Sequence, residues 1–562
     1  MDERERRIDD VRRERSELEN HLIDEYAGGK ISRREFVRRG TVVGMSLPML
    51  SFLAAACGGG DEGGGGGGGG GGQTAKAARG GTIRTAIQSP AGDIDPVTIA
   101  DEGGLAVLGQ TGEYLTFSNE KLVLEPQLAE SWKPNEDGTV WTFKLRQGVK
   151  YHDGGTMTAK DVVATFDRLS DPKVGSNALS ALGGVLSKGN TKAVDEATVE
   201  FTLDAPNGSF PYIVSSDNYN AIILPASYDG GYAKTFPGTG PWRLERFQPN
   251  VGVSFTKNPD YWDRGKPLAD RSEIKFYAEE QPRVLAVQGN EVDVIAHFSV
   301  SGGEGLLNDP SVNVVELRSS VHRQIHMRTD KEPFNDKRVR QAMALALDRK
   351  AIVDGLLGGK ADIGNDSPFA PVYPFTDKTV PQREQDLAQA KQLVSDAGAD
   401  GASAEITTFR DFELPDLAVL IQNAAKEIGL NIKPNLMDQA AYYGDAVYGK
   451  SPWLDSVMGI TDYGHRGVPN VFLVAPLKSE GTWNSAHFKN KEYDSLVTDY
   501  IAALDLEAQR SVAGKIQRLL LDETPIIFPY FYFYLFAVKK NFTGVRETAM
   551  GHVNLRQAGA AA

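Results

Sequence analysis

A mixed α/β body is predicted for the larger part of this chain of 562 residues, and strand and helix patterns carry the prediction. Apolar and polar residues alternate in the segments 141–145 and 199–203, as in half-buried strands, and a short strand pattern opens the body at 81–87. Further along, strand-like segments at 405–409 and 430–436 enclose a helical segment. A strand–helix–strand unit of this kind is typical of α/β domains.

Two helices are predicted from apolar residues that recur three and four positions apart. The first covers 339–347, and Asn335 is expected to cap its start. The second covers 417–428, and Gly429 is placed to end it. The aromatic segment 524–538 is interrupted by two prolines and is too short to span a membrane, so we expect a buried pair of strands there.

Composition excludes several function classes. The formal charge is −14 and the pI is near 5.2, whereas a nucleic-acid interface needs a basic stripe. Hydrophobic residues make up 41% and charged residues 24% of the chain, the balance of a soluble globular protein with a sizeable core. The single cysteine, Cys57, rules out an internal disulfide and a thiolate zinc cluster. We expect about three or four domains, no nucleic-acid partner, no cofactor and no metal site.

Residues 1–57 have the pattern of an export signal. Arg33 and Arg34 lie in a segment, SRREFVR, that matches the twin-arginine export pattern at every position. An apolar stretch at 41–56 follows, shorter than the roughly twenty residues that a membrane span needs. Small residues then precede Cys57, as in lipoprotein signals, so we expect Cys57 to become the acylated first residue of the mature chain. The alternatives are an ordinary basic signal region and a free buried thiol.

A tether is predicted at 58–79. Ten consecutive glycines, 63–72, cannot pack a core and behave as a flexible coil. A phosphate-binding loop is excluded because no strand precedes the run and no Lys-Ser/Thr pair follows it. About twenty such residues reach roughly 25 Å, enough to hold a folded body beside a membrane partner. We therefore expect a lipid-anchored protein on the outer face of the cytoplasmic membrane.

Eight segments of the body, in order along the chain, are similar to motifs of the family 5 extracellular solute-binding proteins, the dipeptide, oligopeptide and nickel receptors of ABC importers. The segments are 124–132 (LEPQLAESW), 143–154 (FKLRQGVKYHDG), 161–163 (DVV), 238–241 (GTGP), 258–262 (NPDYW), 288–293 (QGNEVD), 333–349 (PFNDKRVRQAMALALDR) and 386–398 (DLAQAKQLVSDAG). The resemblance covers essentially the whole body.

This resemblance implies an α/β, two-lobed periplasmic-binding-protein fold, similar to type II, with an extra domain and with the ligand buried between the lobes at a two-strand hinge. The expected parts are the signal at 1–57, the tether at 58–79, lobe I at 80–122 with 228–320 and 520–562, the extra domain at 123–227, and lobe II at 321–519. Closure of such lobes buries a soluble ligand and creates a docking surface only when the receptor is loaded.

The implied function is capture of a small solute and its delivery to the permease and ATPase subunits of an ABC importer. A di- or oligopeptide is the solute that the resemblance favours. We expect a monomer and no enzyme activity. A secreted hydrolase is the remote alternative, but the chain has no G-x-S-x-G and no H-E-x-x-H motif. Within the same fold, a metal chelate, an oligosaccharide, an opine or a polyamine remains an alternative ligand, because a fold does not determine its ligand.

The resemblance also indicates ligand-binding residues. Peptide-binding members hold the ligand's α-ammonium with an aspartate in a segment resembling G-W-x-x-D-Y, and Asp462, followed by Tyr463, is the matching aspartate here. Arg466 is suited to a ligand carboxylate. The predicted ligand-binding set is Asp462, Tyr463, His465, Arg466, Trp483 and Asn484. The alternative is that Asp462 and Arg466 pair with each other or with surface groups.

Two other polar pairs are predicted to be structural. His322 and His326 have the spacing that chelates zinc on a helix, but the segment 321–327 has a strand pattern, in which this spacing covers about 13 Å. His152 and Asp153 are expected in a turn at the end of a strand.

Overall fold

The computed structural model describes residues 76–99, 101–445 and 447–562. The predicted export signal with Arg33, Arg34 and Cys57, and most of the predicted tether, lie outside these residues. Within the described ranges, none of the helices combines the length and the apolar character that crossing a membrane requires.

The first large sheet has seven strands and contains the predicted opening strand. Its strands, in spatial order, are β12 Val312–Leu317, β20 Tyr534–Lys539, β11 Val294–Phe298, β1 Thr82–Gln88, β10 Arg271–Tyr277, β9 Gly252–Lys257 and β8 Trp242–Gln248. β1 pairs in parallel with β10 and β11, and the other pairs are antiparallel. Separate hydrophobic clusters include side chains from this sheet, one with Ile83 and Trp242 and the other with Ala86 and Ile295.

A four-stranded antiparallel sheet shares a hydrophobic core with the first sheet. Its strands, in spatial order, are β4 Ala129–Pro134, β5 Val140–Leu145, β7 Thr198–Thr202 and β6 Thr191–Asp195. Trp141, Phe143 and Phe201 are buried, as their alternation with polar residues predicts. They share one continuous hydrophobic core with Ile83 and Trp242 of the first sheet, so the two sheets form one unit, called the first body below.

The second large sheet also has seven strands and, with its helices, forms the second body. Its strands, in spatial order, are β14 Ala361–Ile363, β19 Tyr530–Tyr532, β13 His322–Met327, β17 Met458–Tyr463, β15 Ser403–Phe409 and β16 Asn431–Met437, and β18 Ile526–Ile527 also pairs with β13. β15 and β16 are parallel and are joined by a helix, which confirms the predicted strand–helix–strand unit.

Helices and three short ladders complete the described chain. The ladders pair β2 Thr116–Ser118 with β3 Leu124–Pro126, β21 Phe542–Thr543 with β24 Gly559–Ala560, and β22 Arg546–Glu547 with β23 Val553–Asn554. The helices are α1 Glu102–Thr111, α2 Ala159–Leu169, α3 Leu179–Leu182, α4 Phe210–Ile213, the 3-10 helix Tyr232–Lys234, α5 Glu280–Gln288, α6 Glu304–Leu307, α7 Lys337–Leu345, α8 Arg349–Leu357, α9 Leu387–Asp396, α10 Leu414–Glu427, α11 Gln439–Tyr443, α12 Pro452–Asp455, α13 Asn470–Val474, α14 Lys491–Ala502 and α15 Leu506–Glu523.

Two chain crossings connect the first body to the second, and they run next to each other. One runs from β12 to β13, and the other runs from β19 to β20. The aromatic segment is buried as predicted, but β19 and β20 belong to different sheets, so the expected strand pair does not form. The boundary expected at residue 520 also assigned β18 and β19 to lobe I, whereas both pair with strands of the second sheet.

The helix ends follow local chemistry. α7 begins after Asp336, whose carboxylate accepts a hydrogen bond from the backbone N–H of Arg338, so the predicted cap at Asn335 is wrong by one residue. Aspartate and asparagine are equally good caps, and two of them in succession do not identify the first helical residue. α10 ends as expected, because Gly429 adopts a φ of +89° that a residue with a Cβ atom disfavours.

Several of the recognised motifs meet at one buried carboxylate. Glu113, 1% exposed, accepts hydrogen bonds from the Tyr261 hydroxyl at 2.7 Å, the Trp262 indole N–H at 2.9 Å and the Thr239 hydroxyl at 2.8 Å. Burial raises the pKa of Glu113, and the three donors oppose that rise. The GTGP and NPDYW segments are therefore structural parts of the first body.

Candidate functional site

Asp462 lies near the end of β17, next to the crossings. On β13, Arg323 is directly opposite Asp462 in the antiparallel register. The Tyr443 hydroxyl donates a hydrogen bond to Oδ1 of Asp462. Asp462 is partly exposed and forms no ion pair among the described residues. Its carboxylate thus retains acceptor capacity for a further partner.

Arg323 does not serve as that partner, because it forms a buried ion pair of its own. Its Nε and Nη2 atoms donate to the two carboxylate oxygens of Glu413 at 2.8 and 3.1 Å. The Tyr530 hydroxyl donates to the same carboxylate at 2.6 Å. Burial opposes ionisation of Glu413, but the charge and hydrogen bonds of Arg323 outweigh it and lower the pKa of Glu413. Ninety residues separate the two partners, and no sequence motif indicated the pair.

Aromatic side chains surround these charges. Phe412 is 60% exposed and has a φ of +52°, a conformation that bulky residues adopt rarely. The Arg323 guanidinium lies 5.3 Å from the Phe412 ring and 4.9 Å from the Tyr532 ring. The Phe409 ring contacts Phe412 on one side and Tyr443 on the other. Asp462 therefore lies beside an aromatic wall that is only partly covered.

The first body contributes a second polar group near the crossings. His297 Nδ1 and Glu102 Oε2 are 2.8 Å apart, and the His297 ring stacks on Tyr534 with centroids 4.0 Å apart. Partial desolvation opposes ionisation of Glu102, yet the charge and hydrogen bond of His297 lower its pKa. Arg283 is 8% exposed and lines a small cavity together with Glu102 and His297. None of these residues was predicted, because each lies in a different sequence segment.

Tyr532 links the two polar groups electrostatically. Burial raises the pKa of Tyr532 to about 12, and the charges that act on it include Asp462 of the second body and Glu102 of the first. Carboxylates from both bodies therefore lie near Tyr532, which is on β19 at the start of the second crossing. We call the region around Tyr532, with Asp462 and Phe412 of the second body and Glu102 and His297 of the first, the cleft.

Tyr463 points to the opposite face of the second sheet from Asp462, because consecutive strand residues alternate. Its ring stacks on His322 with centroids 5.5 Å apart, and the rings of Tyr463 and Trp483 are 6.2 Å apart. Asn484 is 3% exposed, and its side chain bonds the backbone of residues 478 and 488. This geometry favours a structural role for Asn484 in its loop.

His465 and Arg466 fasten the loop after β17 to the crossing. Nδ1 of His465 accepts a hydrogen bond from the backbone N–H of Ser320 at 3.1 Å, and the Ser320 hydroxyl donates to the Arg466 carbonyl at 2.9 Å. Burial, with the nearby charge of Arg466, lowers the pKa of His465 to about 3. Arg466 forms no ion pair with Asp462. Its positive charge acts instead on Asp217 of the first body, where it opposes the rise in the pKa of that carboxyl. The role of Arg466 toward a ligand carboxylate stays a prediction.

The other histidines satisfy backbone groups. His322 and His326 lie on β13, as predicted, and burial lowers their pKa values to about 3 and about 4. In the described ranges, no group of three or more His, Cys, Asp or Glu side chains is arranged to hold a metal ion. Both ring nitrogens of His152 contact backbone carbonyls, at 3.2 Å to Phe236 and 3.0 Å to Gly240.

Known proteins are similar to this chain in sequence and in fold. The family model "Bacterial extracellular solute-binding proteins, family 5 Middle" matches residues 123–465. Heme-binding protein A of Haemophilus influenzae is 27% identical over 442 residues, 73% of this chain and 79% of that protein. Di/tripeptide-binding protein 2 of Pseudomonas aeruginosa is 26% identical over 467 residues, 77% of this chain and 86% of that protein.

A solved structure has the same fold. The ABC transporter substrate-binding protein CtaP of Listeria monocytogenes has a TM-score of 0.76 at 22% identity, covering 86% of this chain and 100% of that chain. The two-lobed α/β fold expected from the sequence is thereby confirmed. Because the family model covers more than half of the chain, this protein belongs to family 5 of the bacterial extracellular solute-binding proteins.

Proposed function

We propose that this protein is the extracytoplasmic solute receptor of an ABC importer, and that it binds a di- or oligopeptide whose α-ammonium pairs with Asp462. The observation that carries the proposal is the state of Asp462. It is a partly exposed carboxylate with one phenol donor and no cation among the described residues. The adjacent arginine, Arg323, is fully engaged by Glu413. A ligand ammonium would supply the missing positive charge.

Burial of a ligand ammonium requires such a carboxylate. An unpaired charge that leaves water costs several kcal/mol, and a charge-assisted hydrogen bond offsets that cost. The aromatic wall formed by Phe412, Tyr443 and Tyr532 offers apolar surface for the rest of the ligand. Binding pockets commonly combine apolar walls with a few polar groups that orient the ligand. The name of the di/tripeptide-binding relative supports the same ligand class.

The role is capture and delivery, without chemical conversion of the ligand. Lobe closure buries the ligand and forms the surface that the permease recognises. The relatives are named for binding and not for catalysis, which supports a receptor without enzyme activity. We expect a monomer that docks on permease and ATPase subunits.

The same proposal includes a membrane anchor. Twin-arginine export through Arg33 and Arg34, followed by acylation of Cys57, would leave the body on the outer face of the cytoplasmic membrane, held by the glycine tether. Cells that express the wild-type chain should incorporate labelled palmitate into it and retain it in the membrane fraction. Cys57→Ser should abolish both signals, and unchanged labelling would refute the anchor.

Native mass spectrometry tests the ligand class. Residues 74–562, purified gently, are measured under native conditions and again after denaturation. We expect a bound species that fragments as a peptide. A bound species of another class would retain the receptor role but refute the peptide ligand, and a species without an amine would also refute Asp462 as an ammonium ligand. An empty protein would then be tested by thermal shift with peptides, sugars and metal chelates, and a failure of every peptide would refute the peptide proposal.

A non-peptide solute is the second candidate. The heme-binding relative and the exposed Phe412 ring favour a ligand with a large apolar surface. Metal chelates, oligosaccharides, opines and polyamines are further candidates, which the mass of the bound species separates. Asp462 distinguishes ligands that carry an amine, such as peptides and polyamines, from ligands that lack one and do not require its charge.

A further inference from the structure

The two bodies touch on the face of the second sheet that points away from Asp462. Arg323 and Asp462 are directly opposite each other, and the next pair in the register is His322 with Tyr463. Since neighbouring side chains on a strand alternate, the two pairs point to opposite faces. His322 and Tyr463 contact Phe472, and His322 also contacts Phe531, which belongs to a hydrophobic cluster separate from the one beside Asp462.

An apolar residue of the first body enters that cluster. Leu122, from the β2–β3 turn, is 4% exposed and packs in the same cluster as Phe369 and Phe375 of the second body. Leu122 has a φ of +56°, which is costly for a residue with a Cβ atom. The Tyr212 hydroxyl holds the Leu122 carbonyl at 2.7 Å, and the Tyr212 ring contacts Phe375 at 6.0 Å. Separation of the bodies at this point would expose Leu122.

Glycines allow the two bodies to approach each other closely beside Leu122. The backbone N–H of Gly208 donates to the Ile501 carbonyl at 2.8 Å, and a Cβ atom on Gly208 would overlap the carbonyl of Ala503. In the loop after β17, a Cβ atom on Gly467 would overlap the Asp217 carboxylate of the first body. We call the contacts of Leu122, Tyr212, Gly208 and Asp217 with the second body the rear contact.

The cleft side is different. Within the described ranges, no hydrogen bond or ion pair joins Asp462, Arg323 or Glu413 to Glu102 or His297. The Phe412 side chain is 60% exposed and that of Glu102 is 43% exposed. The rear contact therefore joins the bodies on one side, whereas the described polar groups of the cleft are not bonded to each other across it. Next to the crossings, Gly358 of the second body lies near Val300 of the first, and Lys360 pairs with Glu316.

We propose that the rear contact holds the cleft open and opposes ligand binding. Rotation about the crossings that brings Glu102 toward Asp462 must move Leu122 and Asp217 away from the second body. Ligand binding then has to break the rear contact, so the observed affinity includes that cost. Residues remote from the ligand thus set the affinity of the receptor. The effect on ligand affinity rests on the proposed function, whereas the effect on lobe geometry does not.

Two substitutions weaken the rear contact by different means. Gly467→Ala places a methyl group against the Asp217 carboxylate, and Leu122→Ala removes most of the apolar side chain that enters the cluster. Gly464→Ala is the matched control in the same loop, because its new methyl group would have only an ordinary contact with the Arg466 side chain at 3.9 Å. Circular dichroism and thermal unfolding identify any variant that fails to fold, and the other variant then carries the test.

Distances between the bodies provide the first measurement. The full-length chain carrying Cys57→Ser is labelled at Leu285→Cys and Val419→Cys, exposed positions on α5 and α10 of the two bodies. Spin-label distances are recorded without ligand and with trialanine. We expect Gly467→Ala and Leu122→Ala to increase the population at the distances that trialanine selects in the parent protein, while Gly464→Ala does not. If trialanine causes no change, the distance distributions without ligand are compared alone.

Affinity provides the second measurement. Removal of one such contact should tighten trialanine binding by up to roughly 10- to 150-fold, the range expected from the transfer free energy of one apolar side chain. Unchanged distances in both variants, or weaker binding with an intact fold, would overturn the proposal. A parent protein that binds no peptide would refute the proposed peptide ligand, while the ligand-free distances would still decide the role of the rear contact.

Discussion

Arg323 and Asp462 lie opposite each other on adjacent strands, yet the guanidinium of Arg323 pairs with Glu413 and leaves Asp462 without a cation. Side chains at directly opposite positions are close enough to interact. The surrounding structure therefore determines that Arg323 pairs with Glu413 and not with Asp462. Glu413 occupies Arg323 at both carboxylate oxygens. The Asp462 carboxylate therefore has no cationic partner beside the cleft among the described residues.

Asp462→Asn should selectively weaken the binding of peptides that carry a free α-ammonium. Loss of a hydrogen bond to a charged group costs about 1.5–3 kcal/mol, so an affinity loss of roughly 10- to 150-fold is expected. Isothermal titration calorimetry with wild type and variant measures the loss. Equal affinity in the two proteins would show that Asp462 does not bind the amine.

Disruption of the Arg323–Glu413 pair should destabilise the second body. Arg323→Met leaves a buried carboxylate without its partner, and we expect a loss of about 3–5 kcal/mol in the free energy of unfolding. The double variant Arg323→Met with Glu413→Gln should lose less, because no unpaired charge remains. Urea unfolding of the single and double variants measures the coupling.

Lys350→Met is the control for that prediction. Lys350 forms an exposed ion pair with Asp354 on α8, and such pairs contribute at most about 0.5 kcal/mol. If Lys350→Met is as destabilising as Arg323→Met, the buried pair has no special role in stability.

Glu113→Ala should destabilise the first body without changing ligand affinity in the protein that remains folded. The substitution leaves the buried donors of Tyr261, Trp262 and Thr239 without their acceptor, and each such group costs about 1–3 kcal/mol. Thermal unfolding and peptide titration provide the two measurements. A loss of affinity without a loss of stability would assign Glu113 to binding instead.

Asp217 should make stability depend on pH. Burial raises the pKa of its carboxyl from the ordinary value of 3.8 to about 7, with Arg466 opposing the rise; Tyr212 and Tyr373 are the other titratable groups whose pKa values its charge affects. The folded state therefore holds a proton that the unfolded state releases. The contribution of Asp217 to the free energy of unfolding should decrease as the pH rises from about 4 to about 7, and should then level off.

Asp217→Asn removes this contribution. The variant should gain stability relative to wild type as the pH rises across the same interval, measured by urea unfolding at several pH values. Parallel stability curves for the two proteins would indicate that Asp217 ionises normally in the folded state.

Local pattern and segment order predicted much of the fold. Alternation identified β5 and β7, helical spacing identified α7 and α10, and Gly429 marked the end of α10, because each signal is confined to a few neighbouring residues. The division of the aromatic segment between two sheets could not be predicted in this way. β19 and β20 have similar composition, and only their partners in distant segments assign them to different bodies.

The candidate site was predicted only where a motif marks it. Asp462 follows from the resemblance of its segment to the family pattern, whereas Arg323, Glu413 and Phe412 carry no such mark. The Arg323–Glu413 contact spans ninety residues, and the strained φ of Phe412 appears only in the folded chain. Burial explains why Asn484, chosen as a cleft residue, uses its amide on its own loop.

The most direct measurement compares trialanine with N-acetyl-trialanine on the wild-type protein by calorimetry. The two probes differ at the amino group, since acetylation removes the positive charge and adds a small neutral group. If Asp462 holds the ligand's α-ammonium, trialanine should bind at least tenfold more tightly than the acetylated peptide, and Asp462→Asn should abolish the difference. Equal binding of the two peptides to wild type would contradict the proposed recognition of a peptide amine.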